Sequence, residues 1–241
     1  MNAAAVRIAV SSSTFRRPLA AAELTQLEWL ERCASVLGAD GVLAAVEDFP
    51  RRDAEYVAQL RKVAIDLGLV PFGLDAPGLL EPAAAAEREA VLALATGFGA
   101  AVLRTTLPPP GEVPPAMFVE VVGLAKAFAR AAKAANVTVL VAEAPGTLGA
   151  DFDGVKHLLK DVDSAWLRAC PSGLLGEVGP KDRYPAFTAG PGDDPVAVTA
   201  RAARTWLILD VPPGERPWEL CRDAIHALRH AEAQQRLLAG R

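Results

Sequence analysis

The 241-residue sequence contains few cysteines and histidines and carries little net charge. Its three cysteines, Cys33, Cys170 and Cys221, lie far apart and form no CxxC pattern, which argues against a structural zinc site and fits reduced thiols in a cytoplasmic protein. A formal net charge of −4 argues against the basic surface that nucleic acids or anionic membranes attract. The N-terminus has no apolar signal-peptide core, and the longest uncharged run, 90–103, is shorter than the ~20 residues of a membrane-spanning helix. We therefore expect a soluble, cytoplasmic protein that binds neither nucleic acid nor membranes.

Apolar residues make up 51% of the chain, and along the sequence they occur alternately at helical spacing and in short continuous runs. Stretches with apolar residues at helical spacing are each followed by a glycine or an asparagine and then by a short apolar run. Gly and Asn accept the left-handed backbone that closes a helix, and here they recur at positions 38, 68, 99 and 136. Strands that are apolar on both faces are typical of parallel sheets covered by helices. The stripe of the first predicted helix comprises Leu27, Leu30, Ala34 and Leu37, and that of the last comprises Leu220, Ala224, Ala227 and Leu228.

Counting these units predicts an α/β fold, a (β/α)8 TIM barrel formed by one domain over 1–241. An open Rossmann-like sheet is the alternative, but no GxGxxG motif follows the first strand. The nearest match, Gly97-Phe98-Gly99, lies where a helix leads into a strand, which is the wrong place to hold a phosphate. The predicted strands are 6–10, 41–46, 69–74, 101–106, 137–143, 165–170, 184–188 and 205–210.

One unit departs from this pattern. Between Cys170 and Pro195 the sequence is rich in glycine and proline and has no apolar helical stripe. The barrel is therefore expected to be irregular around strands six and seven, with the helix between them missing or vestigial. A loop of this length inside a compact domain is usually functional or disordered, and whether 171–194 covers the mouth of the barrel stays open.

The carboxyl ends of the strands are where (β/α)8 barrels place their catalytic residues. Glu143 and Asp210 each end a strongly apolar run, where an unpaired carboxylate would be costly, and we predict that both are catalytic. Ion pairs with arginine, or solvated strand ends, are the alternatives. The side chains predicted to contact a substrate are Phe15, Arg16, Arg104 and Ser172, the two arginines being placed to bind a phosphate or carboxylate.

Other polar groups near strand ends have simpler explanations. Asp48 and Asp75 precede turns and are expected to cap the backbone, while Ser11 to Thr14 form either a hydroxyl-rich turn or part of the site. The loop 146–149, with the sequence GTLG, is a weak candidate for phosphate binding. The histidines are expected on outer helices, which leaves the barrel mouth without the commonest general base; they are His157, His226 and His230.

Several segments, taken in order, resemble the xylose isomerase-like TIM barrel superfamily, which includes sugar and sugar-phosphate isomerases and epimerases. They include RIAVSSSTFR, LEWLERCASVLGADGV, YVAQLRKVAIDLGLVPFGL and AKAFARAAKAANVTVLVAEAPGT, and together they cover roughly residues 6–150. The closing TWLILDVPPGERPWELCRDAIHALR resembles the final strand and helix. The resemblance implies the barrel fold, and it implies proton transfer beside a substrate carbonyl by acidic residues on strands five and eight.

The resemblance also implies a divalent metal, held by Glu on strand five, Asp on strand six, His on strand seven and Glu on strand eight. Here the strand-five position aligns with Ala142, one residue before Glu143, and the strand-six position aligns with Ser172. No histidine lies in 171–190, only Asp210 can stand in on strand eight, and Leu43 replaces a Glu often found on strand two. Because successive strand side chains point to opposite faces, the offset turns Glu143 from the axis unless the strand end is bulged. We therefore predict no metal and no cofactor.

Two functions are compatible with this resemblance, and whether the protein is an enzyme at all stays open. The first is a divergent isomerase or epimerase that acts on a small hydroxy-carbonyl compound, sugar or sugar phosphate without the usual metal. The alternative is a catalytically inactive relative that binds a small molecule or pairs with a homologous active subunit. A barrel face left uncovered by the missing helix would favour a homo-oligomer. A mouth blocked by Phe15, Leu174 or Tyr184 would favour the inactive form.

Overall fold

The computed structural model describes residues 6–111, 114–172, 184–190, 192–202, 205–214 and 216–239. The strands in these ranges are β1 (Arg7–Ser11), β2 (Gly41–Ala45), β3 (Val70–Asp75), β4 (Val102–Thr106), β5 (Thr138–Ala142), β6 (Leu167–Cys170), β7 (Ala186–Ala189) and β8 (Trp206–Leu209). The α-helices are α1 (Arg16–Ala20), α2 (Gln26–Ser35), α3 (Ala54–Asp66), α4 (Ala85–Phe98), α5 (Pro114–Ala134), α6 (Phe152–Val162), α7 (Pro195–Ala202) and α8 (Pro217–Ala239). None of these helices combines the length and the apolar character needed to cross a membrane.

The strands lie in one parallel sheet in the order β6-β5-β4-β3-β2-β1-β8-β7. Apart from β6 and β7, strands that are consecutive in sequence are neighbours in the sheet, and β1 pairs with β8, as in a (β/α)8 TIM barrel. The predicted fold class is therefore confirmed, and each observed strand begins and ends within two residues of its predicted bounds. That the barrel forms a single domain stays a prediction.

The ends of the sheet are β6 and β7, next to the segment predicted to be irregular. An isolated parallel bridge joins Ser172, two residues after β6, to Thr188 in β7. The predicted loss of a helix concerns mainly 173–183, which lie outside the described residues, as does Leu174.

The helix ends follow the predicted glycine and asparagine positions. All four have left-handed backbone, with φ of 61° at Gly38, 76° at Gly68, 81° at Gly99 and 57° at Asn136. At the end of α4 the Gly99 N–H donates to the carbonyl of Ala95, which closes the last turn. These caps end each helix where the next apolar strand must begin.

The chain divides into two compact units: Met1–Ala44, Lys62–Val70 and Ser172–Arg241 form the first, and Ala45–Arg61 with Pro71–Pro171 forms the second. Each unit has its own buried side chains. Those of the first include Ile8, Trp29, Leu30, Leu207 and Ile208, and those of the second include Leu74, Phe98, Leu103 and Leu140.

Candidate active site

A carboxylate and two serine hydroxyls meet where β1 and β8 end in the first unit. The parallel register pairs Val10 with Leu209, so that Ser11 and Asp210 follow next along the two strands. The Ser13 hydroxyl donates to Asp210 Oδ1 at 3.0 Å, and its Oγ lies 2.6 Å from the Oγ of Ser11. Ser11 is fully buried, whereas Ser13 and Asp210 are half-buried. The predicted catalytic Asp210 is therefore a carboxylate with a fixed hydrogen-bond donor rather than a freely solvated strand end.

The next residue along each of the two segments, Thr14 after Ser13 and Val211 after Asp210, is also hydrogen-bonded. The backbone N–H of Val211 donates to Thr14 Oγ1 at 3.1 Å in a buried hydrogen bond. The Phe15 ring has no exposed surface and packs on Trp218 of α8, with ring centroids 4.1 Å apart. Phe15 is thus a core residue here, and the predicted substrate contact would require its ring to leave this packing. Arg16, also predicted to bind substrate, is exposed in α1.

Cys221 of α8 is fully buried near Asp210. Burial, with a smaller contribution from the negative charge of Asp210, raises the pKa of the Cys221 thiol to about 12. Burial also raises the pKa of Cys33 well above its usual range, with a further contribution from Cys221. Both side chains are therefore protonated at neutral pH, which suits buried thiols and neither nucleophiles nor metal ligands.

Arg104 is a buried cation of the second unit, and Asp75 holds it from the neighbouring strand. Its Nε donates to Asp75 Oδ1 at 2.8 Å and its Nη2 donates to Asp75 Oδ2 at 2.8 Å. Only 8% of the Arg104 side chain and 13% of the Asp75 side chain are exposed. Asp75 was expected to cap backbone, and that expectation is wrong because both of its oxygens accept from the guanidinium. This two-pronged geometry fixes the plane of Arg104.

The next two residues of β4 anchor the loop that follows β3. Thr105 Oγ1 accepts from the N–H of Leu79 at 3.1 Å, and Thr106 Oγ1 accepts from the N–H of Gly78 at 3.2 Å. This loop therefore has a defined conformation beside Arg104.

The two remaining candidates follow β5 and β6. β5 ends at Ala142, so Glu143 lies directly after the strand, where it is half-buried. Ser172 is exposed and joined through its backbone to β7.

Three of the four amides in the loop 146–149 are bonded within the protein. The N–H groups of Thr147, Leu148 and Gly149 donate to Ala144 O, Pro108 O and the Thr147 hydroxyl, respectively. The N-terminus of α6 is likewise capped, because Asp151 accepts from the N–H of Gly154. Phosphate binding through these amides is therefore not supported, since the donors of Thr147, Leu148 and Gly149 are already used within the protein.

The three histidines are exposed on outer helices, as predicted: His157 on α6, and His226 and His230 on α8. His157 packs against Phe118 of α5, with ring centroids 4.9 Å apart. Within the described ranges, then, the histidines lie away from the carboxyl ends of the strands.

Compared by sequence, the chain matches no protein-family model and no curated protein. By structure it is similar to the probable 3-DHS dehydratase AsbF of Bacillus anthracis, with 13% identity and a TM-score of 0.74 over 93% of this chain and 99% of that one. It is similar to a D-psicose 3-epimerase of Clostridium cellulolyticum H10, with 12% identity and a TM-score of 0.70 over 96% and 99%. It is also similar to the IolI protein with a bound zinc atom, with 12% identity and a TM-score of 0.72 over 95% and 97%. The chain has the fold of the xylose isomerase-like TIM barrels.

The xylose isomerase-like fold implies a divalent metal, and the strand ends that the structure describes do not fit one. β5 ends at Ala142, β6 at Cys170 and β7 at Ala189, Ser172 lies two residues after β6, and the carboxylate after β8, Asp210, accepts from Ser13. Across the described ranges, no three His, Cys, Asp or Glu side chains lie close enough together to hold a metal ion. A hard cation needs several oxygen or nitrogen ligands to offset its dehydration, and the described strand ends do not bring such a set together.

Ser13 belongs to the run from Ser11 to Thr14, which the sequence leaves open as a turn or part of the site, whereas Asp75, which holds Arg104, is expected from the sequence only as a backbone cap. The run of hydroxyls after the first strand was the signal for Ser13, because a barrel brings the first and last strands together. Asp75 and Arg104 carried a matching signal, since each lies at the end of one of two consecutive strands that pair in parallel.

Proposed function

We propose that this protein is an isomerase or epimerase that moves a proton beside the carbonyl of a small hydroxy-carbonyl compound, such as a sugar or sugar phosphate, without the usual divalent metal. The observation that carries the proposal is Asp210, a half-buried carboxylate held by Ser13 at the end of β8. Partly burying a carboxylate costs free energy unless hydrogen bonds offset it, and the bond from Ser13 holds Asp210 in the position that a general base requires.

The reaction needs a base and a group that stabilises the resulting negative charge. Asp210 would take the proton from the carbon next to the carbonyl, the electron pair of that C–H bond would form the enolate, and the protonated Asp210 would return the proton at the neighbouring carbon. Arg16 is the candidate for binding an anionic substrate group. Glu143, which follows β5, stays a predicted proton-transfer group, and Arg104, oriented by Asp75, stays a predicted substrate-binding cation.

The test is hydrogen exchange in D2O. The purified protein is incubated with a panel of ketoses, aldoses and their phosphates, and proton NMR follows loss of the signal beside the carbonyl. We expect exchange with at least one compound, undiminished by a chelator, and a fall of roughly 10²–10⁴-fold in Asp210→Asn and in Glu143→Gln. Asp223→Asn, which changes a carboxylate of α8 that is 74% exposed, is the matched control. Equal rates in all variants would clear both residues, and exchange that returns only with added metal would overturn the metal-free assignment.

One alternative function is favoured because the described strand ends do not fit a metal. In this alternative the protein is a catalytically inactive relative that binds a small molecule, or that pairs with an active homologue or with itself. Without a metal, polar groups such as Ser172 and Asp210 can still recognise hydroxyl groups of a ligand. A thermal-shift screen with the same panel distinguishes the two, because ligand binding to the native state raises the melting temperature. A shift without hydrogen exchange would support the inactive relative.

A further inference from the structure

In the Ser11–Ser13–Asp210 cluster, the donor and the acceptor of each hydrogen bond can be assigned by counting hydroxyl protons. Asp210 accepts from Ser13, and a hydroxyl has a single proton to donate. Ser13 must therefore act as the acceptor in its 2.6 Å contact with Ser11, and Ser11 is the donor. The chain of hydrogen bonds runs from Ser11 through Ser13 to the carboxylate of Asp210.

The surroundings make this chain a built feature rather than a surface contact. Ser11 is 0% exposed at the end of β1, so its hydroxyl needs a partner inside the protein. One residue further along both segments, the buried bond from the Val211 N–H to Thr14 Oγ1 fixes the backbone on either side. The segment after β1 and the segment after β8 are thus joined by a hydrogen bond that is separate from those of the cluster.

From this geometry we infer that Ser11 and Ser13 form a hydroxyl relay that orients Asp210, and that Ser13 is a positioning residue for the proton transfer. The inference rests on the proposed function for its catalytic part. A hydrogen bond to an ionised acceptor is stronger than one between neutral groups, and a second hydroxyl behind the first polarises it further. The relay therefore holds Oδ1 of the Asp210 carboxylate in place while the proton is transferred.

The test compares Ser13→Ala with the conservative Ser13→Thr and with Ser35→Ala, in which the lost hydroxyl bonds only to the exposed carbonyl of Glu31 in α2. In the D2O assay we expect Ser13→Ala to lower kcat about tenfold to a hundredfold with KM nearly unchanged, the size expected for one hydrogen bond to a charged group. Ser13→Thr should recover most of the rate, and Ser35→Ala should match the wild type. Ser13→Ala should cause no further loss in an Asp210→Asn background, because the two residues act as one unit.

An activity-independent measurement separates this inference from the proposed function. Protein labelled with 13C in the aspartate carboxyl groups gives an Asp210 signal, identified by its loss in Asp210→Asn. We expect that signal to move in Ser13→Ala, to return towards its original position in Ser13→Thr, and to stay in place in Ser35→Ala. An unmoved signal in Ser13→Ala would overturn the relay. A moved signal with unchanged kcat would overturn the positioning role, and a moved signal in a protein without exchange would overturn the proposed function while leaving the relay in place.

Discussion

Removing either partner of the Arg104–Asp75 pair should destabilise the protein by about 3–5 kcal/mol, because the remaining buried charge would lose both hydrogen bonds of this pair. The structure supports a value in this range because both hydrogen bonds measure 2.8 Å and the side chains are only 8% and 13% exposed. For a chain of this length each kcal/mol lowers the melting temperature by about 2–4 °C, so the expected fall is roughly 6–20 °C. Asp75→Ala and Arg104→Met, followed by urea unfolding and calorimetry, measure it directly.

The double variant Asp75→Ala/Arg104→Met supplies the decisive comparison. Because it removes both charges, it should be more stable than the sum of the two single changes predicts, with a coupling of about 0.5–3 kcal/mol. Arg51→Met is the matched control: Arg51 binds Asp53 through the same two nitrogens, but the side chains are 62% and 45% exposed, and its loss should leave the melting temperature nearly unchanged. Single changes that cost no more than this control, or purely additive effects, would refute the reasoning.

Three further predictions concern packing and protonation. Because their pKa values are raised, Cys33 and Cys221 should not react with a thiol reagent in the native protein at pH 8, and reaction before unfolding would contradict the burial found here. Gly41→Ala should destabilise the protein by about 1–3 kcal/mol, since an added Cβ would lie 2.6 Å from the carbonyl oxygen of Val70 in the next strand. Gly123→Ala should stabilise it by about 0.5–1 kcal/mol, because Gly123 lies in α5 with open space around the added Cβ. Equal effects of the two changes in urea unfolding would refute this reasoning. Hydrogen bonds from the backbone and side chain of Thr25 lower the pKa of Glu28 at the start of α2. Its contribution to stability is therefore present above the pKa of the unfolded state and is lost as the pH falls through the lower pKa of the folded state. Glu28→Gln should remove this part of the loss of stability in acid.

Helix ends and strand positions could be predicted because they depend on residues close in sequence. Gly38 and Asn136, for example, adopt the left-handed backbone that their side chains tolerate better than most. The apolar runs that follow them form strands because both faces of a parallel sheet are covered.

The rotation of the helices was less predictable. The last helix buries Cys221, Ile225 and Leu228, whereas Leu220, assigned to the core stripe from the sequence, is 38% exposed. In α2, likewise, Trp29 and Cys33 are buried where Leu27 and Ala34 were expected. Apolar periodicity in the sequence predicts only a broad apolar face of the helix. Which residues of that face become buried depends on the side chains of the neighbouring elements that pack against it.

The sequence by itself determined the eight-unit alternation and the polar candidates at the strand ends, since both follow from local pattern and residue type. Only the tertiary structure decided which of those groups act together. Ser13 reaches Asp210 across 197 residues, and Arg104 reaches Asp75 across 29, because β1 pairs with β8 and β3 pairs with β4. A hydrogen bond depends on distance and direction within a few tenths of an ångström, and these are set by strand register and packing rather than by the spacing of residues along the chain.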